Sequence, residues 1–299
     1  MRGRPAARTT TTLWTIDHGT SHRHRDLLAT EEPLEIRVLA GDHRQTVAVT
    51  MRTPGNDFEL AVGFLHGEGV VHDPAQIAGL SYCVDPAIDA VQQYNIVNVT
   101  LRRSALPDLA PLERHFSITS ACGVCGKATL DALELRGPSL EGTELSVPVD
   151  VIYRLPDTLR AQQGIFQQTG GLHAAALFTT DGTMLALRED VGRHNALDKL
   201  IGWALLEGRL PLHECILLVS GRTSYEILQK SLAAGISVVC AISAPSSLAV
   251  DVARRFGITL VGFLRGERCN VYTAPHRVVL PAEELLTVSA PVSGKRGDP

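Results

Sequence analysis

Alternating apolar and polar positions in the first half of the chain predict a small α+β unit over residues 31–116. The alternation over residues 34–51 is interrupted by a Gly-Asp turn and predicts a β-hairpin. Apolar residues at helical spacing over residues 58–65 predict a short helix that ends at Gly67, and residues 94–101 predict a further strand. Together these elements are typical of a separate small domain.

The pattern changes near Pro148, beyond which predicted helices and strands alternate. Predicted helices cover residues 156–166, 196–206, 225–233 and 248–256, and predicted strands cover residues 172–178, 184–188, 215–219, 236–242 and 258–264. Short apolar strands that alternate with helices need crossover connections. This order therefore predicts an α/β sandwich with parallel strands over residues 148–285.

Three other segments lack such patterns. Residues 1–30 contain four consecutive threonines and a basic cluster, and because they can bury little apolar surface they are predicted to be a disordered tail. Residues 117–147 connect the two units and contain a Cys-x-x-Cys pair. Residues 286–299 are predicted to be a flexible C-terminal tail.

Composition narrows the class of protein. The chain has 299 residues, of which 44% are hydrophobic and 20% charged, as expected for a soluble globular protein long enough for two domains. The net charge of −4 arises from mixed signs, so no overall field attracts nucleic acid or an anionic membrane. No apolar run reaches the roughly 20 residues that span a bilayer, and no signal-peptide pattern is present. We therefore expect a cytoplasmic protein.

Polar loops follow three of the predicted strands, at the place where ligands collect in an open α/β sheet. These loops contain Ser220, Gly221 and Arg222 after the first strand, Ser243 and Ser246 after the second, and Arg265, Gly266, Glu267 and Arg268 after the third. Glycine and hydroxyl residues let backbone amides approach an anion, and arginines donate to phosphate oxygens. A single loop of this kind is more often only a turn or a helix cap. Three in succession predict a site for a phosphate-rich ligand.

Cys122 and Cys125 differ from the other four cysteines, which lie in or beside apolar runs and are predicted to be core residues. Glycines flank this pair, and a lysine and a predicted helix follow it, which favours a thiolate. The residues alone leave open half of a zinc site, a redox dithiol and a sulfur carrier. Zinc would need two further ligands, for which His173 and His194 are candidates. A thioredoxin-like dithiol usually lies between the first strand and the first helix of its fold, whereas this pair follows a separate N-terminal unit. Its position therefore counts against redox exchange.

A second group of ionisable residues lies at positions 188–194, where five of seven side chains can carry charge. So dense a cluster is costly unless each member has a partner. The sequence therefore predicts that Glu189, Asp190, Arg193 and His194 form the wall of a pocket. His173, taken alone, is more often a satisfied core histidine than a catalytic one.

Six segments of the chain resemble the FdhD/NarQ sulfur-carrier family. They are residues 52–69 (RTPGNDFELAVGFLHGEG), 122–126 (CGVCG), 169–174 (TGGLHA), 188–199 (REDVGRHNALDK), 220–225 (SGRTSY) and 243–249 (SAPSSLA). The resemblance extends from about residue 31 to residue 273 and leaves only the tails uncovered.

This resemblance implies a function. Members of the family accept sulfur from a cysteine desulfurase and pass it to the molybdenum bis(molybdopterin guanine dinucleotide) cofactor before its insertion into formate dehydrogenase. Cys122 is then the expected persulfide carrier, with Cys125 as the second catalytic candidate. The residues expected to bind the cofactor are Phe263, Leu264, Arg265, Gly266, Glu267, Arg268, Ser220, Gly221, Arg222, Ser243, Ser246, His173 and His194. GDP is expected to mimic one arm of the cofactor. A permanently bound metal is not expected. Whether the protein forms a homodimer is left open.

The family's larger domain resembles cytidine deaminases, so the expected fold is a cytidine deaminase-like α/β sandwich with a smaller N-terminal α+β domain. Deaminase activity is not expected, because zinc deaminases need a His-x-Glu motif and His173 is followed by two alanines. The alternative function is a non-catalytic chaperone that holds the pterin cofactor. Cys122 and Cys125 would then form a structural zinc knuckle.

Overall fold

The computed structural model describes residues 6–89, 92–109, 140 and 144–281. Its strands are β1 (Arg8–Asp17), β2 (Thr20–Ala29), β3 (Glu32–Ala40), β4 (His43–Arg52), β5 (Ile77–Tyr82), β6 (Ile96–Leu101), β7 (Val147–Pro148), β8 (His173–Phe178), β9 (Met184–Asp190), β10 (Ile216–Val219), β11 (Val238–Ala241), β12 (Thr259–Arg265), β13 (Arg268–Thr273) and β14 (Val278–Val279). Its α-helices are α1 (Asp57–Gly67), α2 (Val149–Gln162), α3 (Phe166–Thr169), α4 (Arg193–Leu206), α5 (Tyr225–Ala233) and α6 (Ser247–Arg255). No helix in the described ranges has the length and apolar character that crossing a membrane requires.

The N-terminal segment forms an antiparallel ribbon of β1 and β2, which we call the N-terminal hairpin. Arg8 pairs with Ala29 and Asp17 with Thr20, so the ladder runs the length of both strands. The predicted disordered tail is therefore wrong for residues 8–29. The prediction weighed only the small apolar area that this segment can bury, whereas its run of β-branched threonines favours extended structure and the ladder satisfies backbone groups.

The smaller unit is a four-stranded sheet in the order β4-β3-β6-β5, covered by α1. The predicted hairpin over residues 34–51 and the predicted helix that ends at Gly67 are both confirmed. Buried residues of β3 and β6 alternate along each strand and pack against the apolar face of α1. The sequence did not predict β5, whose side chains are mostly only partly buried.

The larger unit has a six-stranded sheet in the order β13-β12-β11-β10-β8-β9. The three central strands β10, β11 and β12 are parallel, as predicted, but β8, β9 and β13 run antiparallel to their neighbours. Successive side chains of the central strands point to opposite faces of the sheet and belong to two separate cores. One core packs against α4, α5 and α6, and the other packs against α2 on the opposite face. The unit is thus a mixed α/β sandwich.

Helix α2 begins earlier than the sequence predicts. It starts at Val149 and continues through Pro156, where the prediction placed its first residue. A proline inside a helix removes one backbone hydrogen bond. The buried face formed by Val151, Ile152 and Leu155 outweighs that loss, because these side chains fill the core beneath the sheet.

The two units meet where α1 crosses α4. A Cβ atom on Gly63 would lie 1.8 Å from the carbonyl oxygen of Asp198, and one on Gly202 would lie 1.9 Å from that of Glu59. The two helix backbones therefore touch, and no side chain larger than hydrogen fits at either position. Arg188 on β9 also forms a two-pronged ion pair with Glu59 on α1.

Candidate functional site

Polar loops gather where β10, β11 and β12 end, and β8 begins beside them. We call this region, comprising residues 173, 220–224, 243–246 and 263–268, the carboxyl edge. The first two loops are joined by backbone hydrogen bonds, since the Thr223 N–H donates to the Ala244 carbonyl (3.3 Å) and the Ser246 N–H donates to the Thr223 carbonyl (2.9 Å). The third segment contacts the second, because the Phe263 N–H donates to the Ser243 carbonyl (3.1 Å). The structure thus brings the three predicted loops together.

The hydroxyl groups at this edge already have local partners. The Ser220 Oγ accepts from the Ala174 N–H at 2.9 Å, which ties the loop to β8. The Ser246 Oγ accepts from the Ala249 N–H at 3.3 Å and caps α6. Both serine hydroxyl oxygens therefore stabilise the local backbone. Each hydroxyl hydrogen remains able to donate to a ligand.

The segment 263–268 comprises the last residues of β12 and a tight turn, residues 265–268, that leads directly into β13. Phe263 has a positive φ of 52°, and its side chain is 41% exposed although it lies within β12. Leu264 is fully buried in the core beneath the sheet, and its side chain supports the strand instead of facing a ligand. The four residues that follow are exposed. Two guanidinium groups, those of Arg265 and Arg268, therefore project from one turn.

His173 is the first residue of β8 and pairs in register with Asp190 of β9. Its ring lies against Gly221, where a Cβ atom would come within 3.3 Å of the imidazole Nδ1 and 3.5 Å of the Arg193 Cδ. Burial lowers the pKa of His173, and the positive charge of Arg193 lowers it further, although Asp190 acts in the opposite direction. His173 is therefore neutral at neutral pH.

His194 lies in the first turn of α4 and contacts the start of α5. Its Nε2 is 3.2 Å from the Ser224 Oγ and 3.1 Å from a Glu226 carboxylate oxygen. Burial lowers the pKa of His194 to about 4, despite the opposing effect of Glu226. The side chain of His194 therefore links α4 to α5. Through Ser224, it also contacts the carboxyl edge.

Asp190 and Glu189, which the sequence predicts as part of a pocket wall, both have partners within the protein. The Asp190 carboxylate lies 2.7 Å from the Lys199 ammonium and accepts from the backbone N–H of Thr53 at 3.1 Å. Glu189 accepts the N–H groups of Ile165 and Phe166 at 3.1 and 2.8 Å. These contacts join β9 to the smaller unit and to α3. The sequence analysis missed Lys199, although a lysine within an apolar helical run signals a buried partner.

A cavity of about 220 Å³ lies at this junction between the two units. Its lining includes Thr53, Asn56, Gln162, Arg188, Glu189 and Lys199. The predicted pocket therefore exists for Glu189, but the charged groups around it already have partners in Glu59, Asp190 and backbone amides. This cavity offers polar contacts without a free charge.

Cys122 and Cys125 lie outside the described residues, as does the rest of the segment 117–126. The other four cysteines fit the core interpretation, since Cys83 and Cys240 are buried and Cys215 and Cys269 are partly buried. Burial raises the pKa of the thiols of Cys215, Cys240 and Cys269. Within the described ranges, no group of three or more His, Cys, Asp or Glu side chains is arranged to hold a metal ion.

Comparisons with known proteins extend these observations. A sequence model of the FdhD/NarQ family matches residues 29–279. A relative from Nocardia farcinica is 51% identical over 259 residues, which cover 86% of this chain and 89% of the relative. A relative from Mycobacterium tuberculosis is 51% identical over 257 residues, covering 85% and 92%. Both are named sulfur carrier protein FdhD.

The fold also matches a solved structure. The crystal structure of a proposed formate dehydrogenase accessory protein from Desulfotalea psychrophila has a TM-score of 0.69 and 24% sequence identity. The match covers 91% of this chain and all of the other. This likeness supports the mixed α/β architecture described above.

Proposed function

The chain belongs to the FdhD/NarQ family, and from this premise we propose that it is a sulfur carrier that serves the maturation of formate dehydrogenase. Curated relatives that share about half of its residues are named sulfur carriers, and the match covers most of each chain. The Desulfotalea protein of similar fold is described as a formate dehydrogenase accessory protein. Both descriptions agree with a protein that handles sulfur on behalf of another enzyme.

In this proposal Cys122 accepts sulfur from a cysteine desulfurase and holds it as a persulfide. The observation that carries the assignment is the state of the other thiols. Cys83 and Cys240 are buried, and burial disfavours the thiolate of Cys215, Cys240 and Cys269. A sulfur acceptor needs an accessible thiolate. Gly123 directly follows Cys122, and Lys127 lies five residues further along the chain, and both features favour an accessible thiolate. Cys125 is the second candidate.

The carboxyl edge is the proposed binding place for the receiving cofactor, a molybdenum bis(molybdopterin guanine dinucleotide). Its phosphate groups require cations and amides. Arg222, Arg265 and Arg268 are exposed at this edge, and none of the ion pairs within the described ranges includes them. The larger unit would then use a cytidine deaminase-like sandwich as a cofactor-binding domain without deaminase chemistry.

Mass spectrometry tests the sulfur chemistry directly. The protein is incubated with a cysteine desulfurase and cysteine, and we expect wild type to gain the mass of one sulfur atom. Cys122→Ala should gain none, because the acceptor thiol is absent, whereas Cys125→Ala should still load. Cys215→Ala is the matched control, since it removes a thiol of raised pKa. Equal loading of Cys122→Ala and wild type would refute the assignment.

Metal analysis of the same preparations tests the chaperone alternative. A zinc knuckle at Cys122 and Cys125 would hold about one zinc ion per chain and would lose it in either cysteine variant. Stoichiometric zinc in wild type together with absent sulfur loading would replace the carrier proposal by the chaperone.

A further inference from the structure

The outer half of the N-terminal hairpin is exposed along its whole length. All residues from 14 to 25 are exposed, including Trp14 at 64% and Ile16 at 77%. A two-stranded hairpin on its own is at best marginally stable in water. A tryptophan and an isoleucine side by side on such a hairpin add to the cost, because their apolar area stays in contact with water. These features indicate a surface that a partner covers.

The register of the hairpin separates its charges onto two sides. Residues directly opposite each other in an antiparallel pair point to the same side. One side, which we call the basic face, carries Trp14 opposite Arg23, Thr12 opposite Arg25 and Ile16 opposite Ser21, with Arg8 nearer the base. Asp17 and Asp26, the two acidic residues of the hairpin, both lie on the other side. The basic face therefore has three arginines, an exposed tryptophan and no negative charge.

The side chains of the basic face are those that bind acidic protein surfaces. Tryptophan and arginine are enriched among the few residues that carry most of the binding energy at protein interfaces. Trp14 offers a large, rigid contact area, and Arg23 and Arg25 can each form two hydrogen bonds to one carboxylate. We therefore expect a partner surface on which aspartate and glutamate side chains surround an apolar centre.

The charge of the rest of the chain favours a protein partner over nucleic acid or an anionic membrane. Residues 1–30 contain five arginines and two aspartates, a net charge of +3, whereas the whole chain has −4, so the remaining residues carry −7. Nucleic acid and anionic bilayers extend their negative charge well beyond the area of one hairpin and would repel this body. An acidic patch on a protein is local, so it can meet the hairpin without that repulsion.

The base of the hairpin places the basic face beside the carboxyl edge. Arg8 hydrogen bonds to Gln168, and the Cβ of Ala29 lies 3.7 Å from the ideal Cβ position of Gly171, two residues before the start of β8. Ten residues of strand extend about 30 Å, so Trp14 stands roughly 20 Å from Arg8. A protein held by the basic face is therefore a neighbour of any ligand bound at the carboxyl edge.

We propose that the basic face of the N-terminal hairpin is a docking surface for an acidic patch on the enzyme that receives the cofactor. This inference rests on the proposed function, under which that enzyme is formate dehydrogenase, and it specifies where the acceptor binds. The acceptor is chosen over the sulfur donor because the hairpin begins at the edge from which the cofactor must leave. The hairpin holds the acceptor close to that edge during the transfer and takes no part in loading sulfur.

Binding to formate dehydrogenase purified without its cofactor, measured by calorimetry at low and high salt, tests the docking surface. We expect Arg23→Glu combined with Arg25→Glu to weaken binding about ten- to a hundred-fold, and high salt to weaken wild-type binding. Trp14→Thr should weaken it by about thirty-fold, since threonine keeps the strand but removes the ring. His22→Glu combined with His24→Glu is the matched control, because it places the same side chains on the same strand but on the opposite side. This control should bind more tightly than the arginine variant.

A fluorescence measurement keeps the test independent of variants that fail to fold. The chain has two tryptophans, and Trp203→Phe leaves Trp14 as the only one. The emission of Trp14 should shift to shorter wavelength when the acceptor binds, because the ring leaves water. Unchanged emission on binding would overturn the inference, as would equal affinity of the arginine variant and its control.

The same measurements test three other occupants of the basic face. A shift of Trp14 emission with phosphatidylglycerol vesicles but not with the acceptor would overturn the inference. A dimer of this chain, detected by sedimentation and lost in Trp14→Thr, would overturn it as well, because a second copy would then cover the face. So would a cysteine desulfurase that binds wild type but not the arginine variant, if binding of the acceptor is the same in both.

Sulfur loading on Cys122, measured in parallel by mass spectrometry, separates this inference from the carrier proposal. Arg23→Glu combined with Arg25→Glu should load sulfur as wild type does, but formate dehydrogenase should mature more slowly with it. If wild type never loads sulfur, the carrier proposal fails, while the binding measurement still decides the docking surface. If the arginine variant binds the acceptor and supports maturation as wild type does, the inference fails and the carrier proposal stands.

Discussion

The junction between the two units and the carboxyl edge use the same kinds of charged residues in opposite ways. At the junction, Arg188 is paired with Glu59 and Lys199 with Asp190, all of them at least partly buried. At the edge, Arg265 and Arg268 project from a turn into solvent. Charges with partners hold the fold together, and exposed charges without partners mark where a ligand can bind.

The largest effect should come from breaking the contact of α1 with α4. Gly202→Val places carbon atoms where the Glu59 carbonyl oxygen now lies, at 1.9 Å from the ideal Cβ, so the helices must separate. We expect the free energy of unfolding to fall by roughly 3 kcal/mol or more. Urea unfolding measures it, with Gly79→Val as the control because no atom lies within 4 Å of that Cβ position. Equal losses in both variants would contradict the proposed close contact.

The next effect concerns the buried ion pair at the junction. Asp190→Ala leaves the Lys199 ammonium buried without its partner, and we expect a loss of about 3–5 kcal/mol in the free energy of unfolding. The control is Asp150→Ala, which removes an exposed pair with Arg154 and should cost less than about 1 kcal/mol. Denaturant unfolding compares the two. A small loss for Asp190→Ala would contradict the stabilising role of this buried pair.

Removing arginines from the edge should change binding without changing stability. We expect Arg265→Ala combined with Arg268→Ala to weaken GDP binding by about ten- to a hundred-fold, through the loss of charge-assisted hydrogen bonds. The free energy of unfolding should stay within about 0.5 kcal/mol of wild type, since both side chains are exposed. Calorimetry measures binding, and Arg254→Ala on α6 serves as control. If the wild-type protein binds no GDP, the proposal that the carboxyl edge binds the cofactor is contradicted.

The smallest effect should appear in the pH dependence of stability. The pKa of His194 is about 4 in the folded protein, so the unfolded chain takes up a proton first as the pH falls below about 6.5. The stability that neutral His194 contributes is therefore lost as the pH falls from about 6.5 towards 4, by roughly 2 kcal/mol at pH 5. His194→Gln should lack this part of the dependence.

The comparison of wild type with His194→Gln also controls for Asp198. Burial raises the pKa of Asp198 to about 6, so its contribution is lost in the opposite direction, as the pH rises from about 4 through 6. Because Asp198 is present in both proteins, its effect cancels in the difference. Unfolding measured by denaturant at several pH values gives that difference, and identical pH profiles would contradict the role of His194.

Local patterns were sufficient to predict most of the framework. The helix at Tyr225–Ala233 follows from apolar residues at helical spacing. The central strands follow from short continuous apolar runs, because these strands are buried on both faces of the sheet. The three loops of the carboxyl edge followed from the rule that strand ends in α/β sheets carry ligands. The order of the strands, with β8 and β9 antiparallel, did not follow, because it depends on pairings distant in sequence.

The partners of the charged residues could not be predicted in the same way. Lys199 donates to the Thr53 carbonyl at 2.8 Å, across 146 positions of sequence, and no local pattern encodes that contact. The cluster at residues 188–194 was recognised as unusual, but the sequence alone could not tell paired charges from unpaired ones. Arg193 differs from Arg188 only through what the folded chain places beside it.

The base of the N-terminal hairpin has a practical consequence for all of these experiments. Arg8 at the start of β1 hydrogen bonds to Gln168, and the Cβ of Ala29 at the end of β2 lies 3.7 Å from the ideal Cβ position of Gly171, two residues before His173. Anything joined upstream of Arg8 therefore emerges close to the start of β8. An affinity tag or fluorescent fusion at that end would crowd the carboxyl edge, so binding assays need it cleaved off.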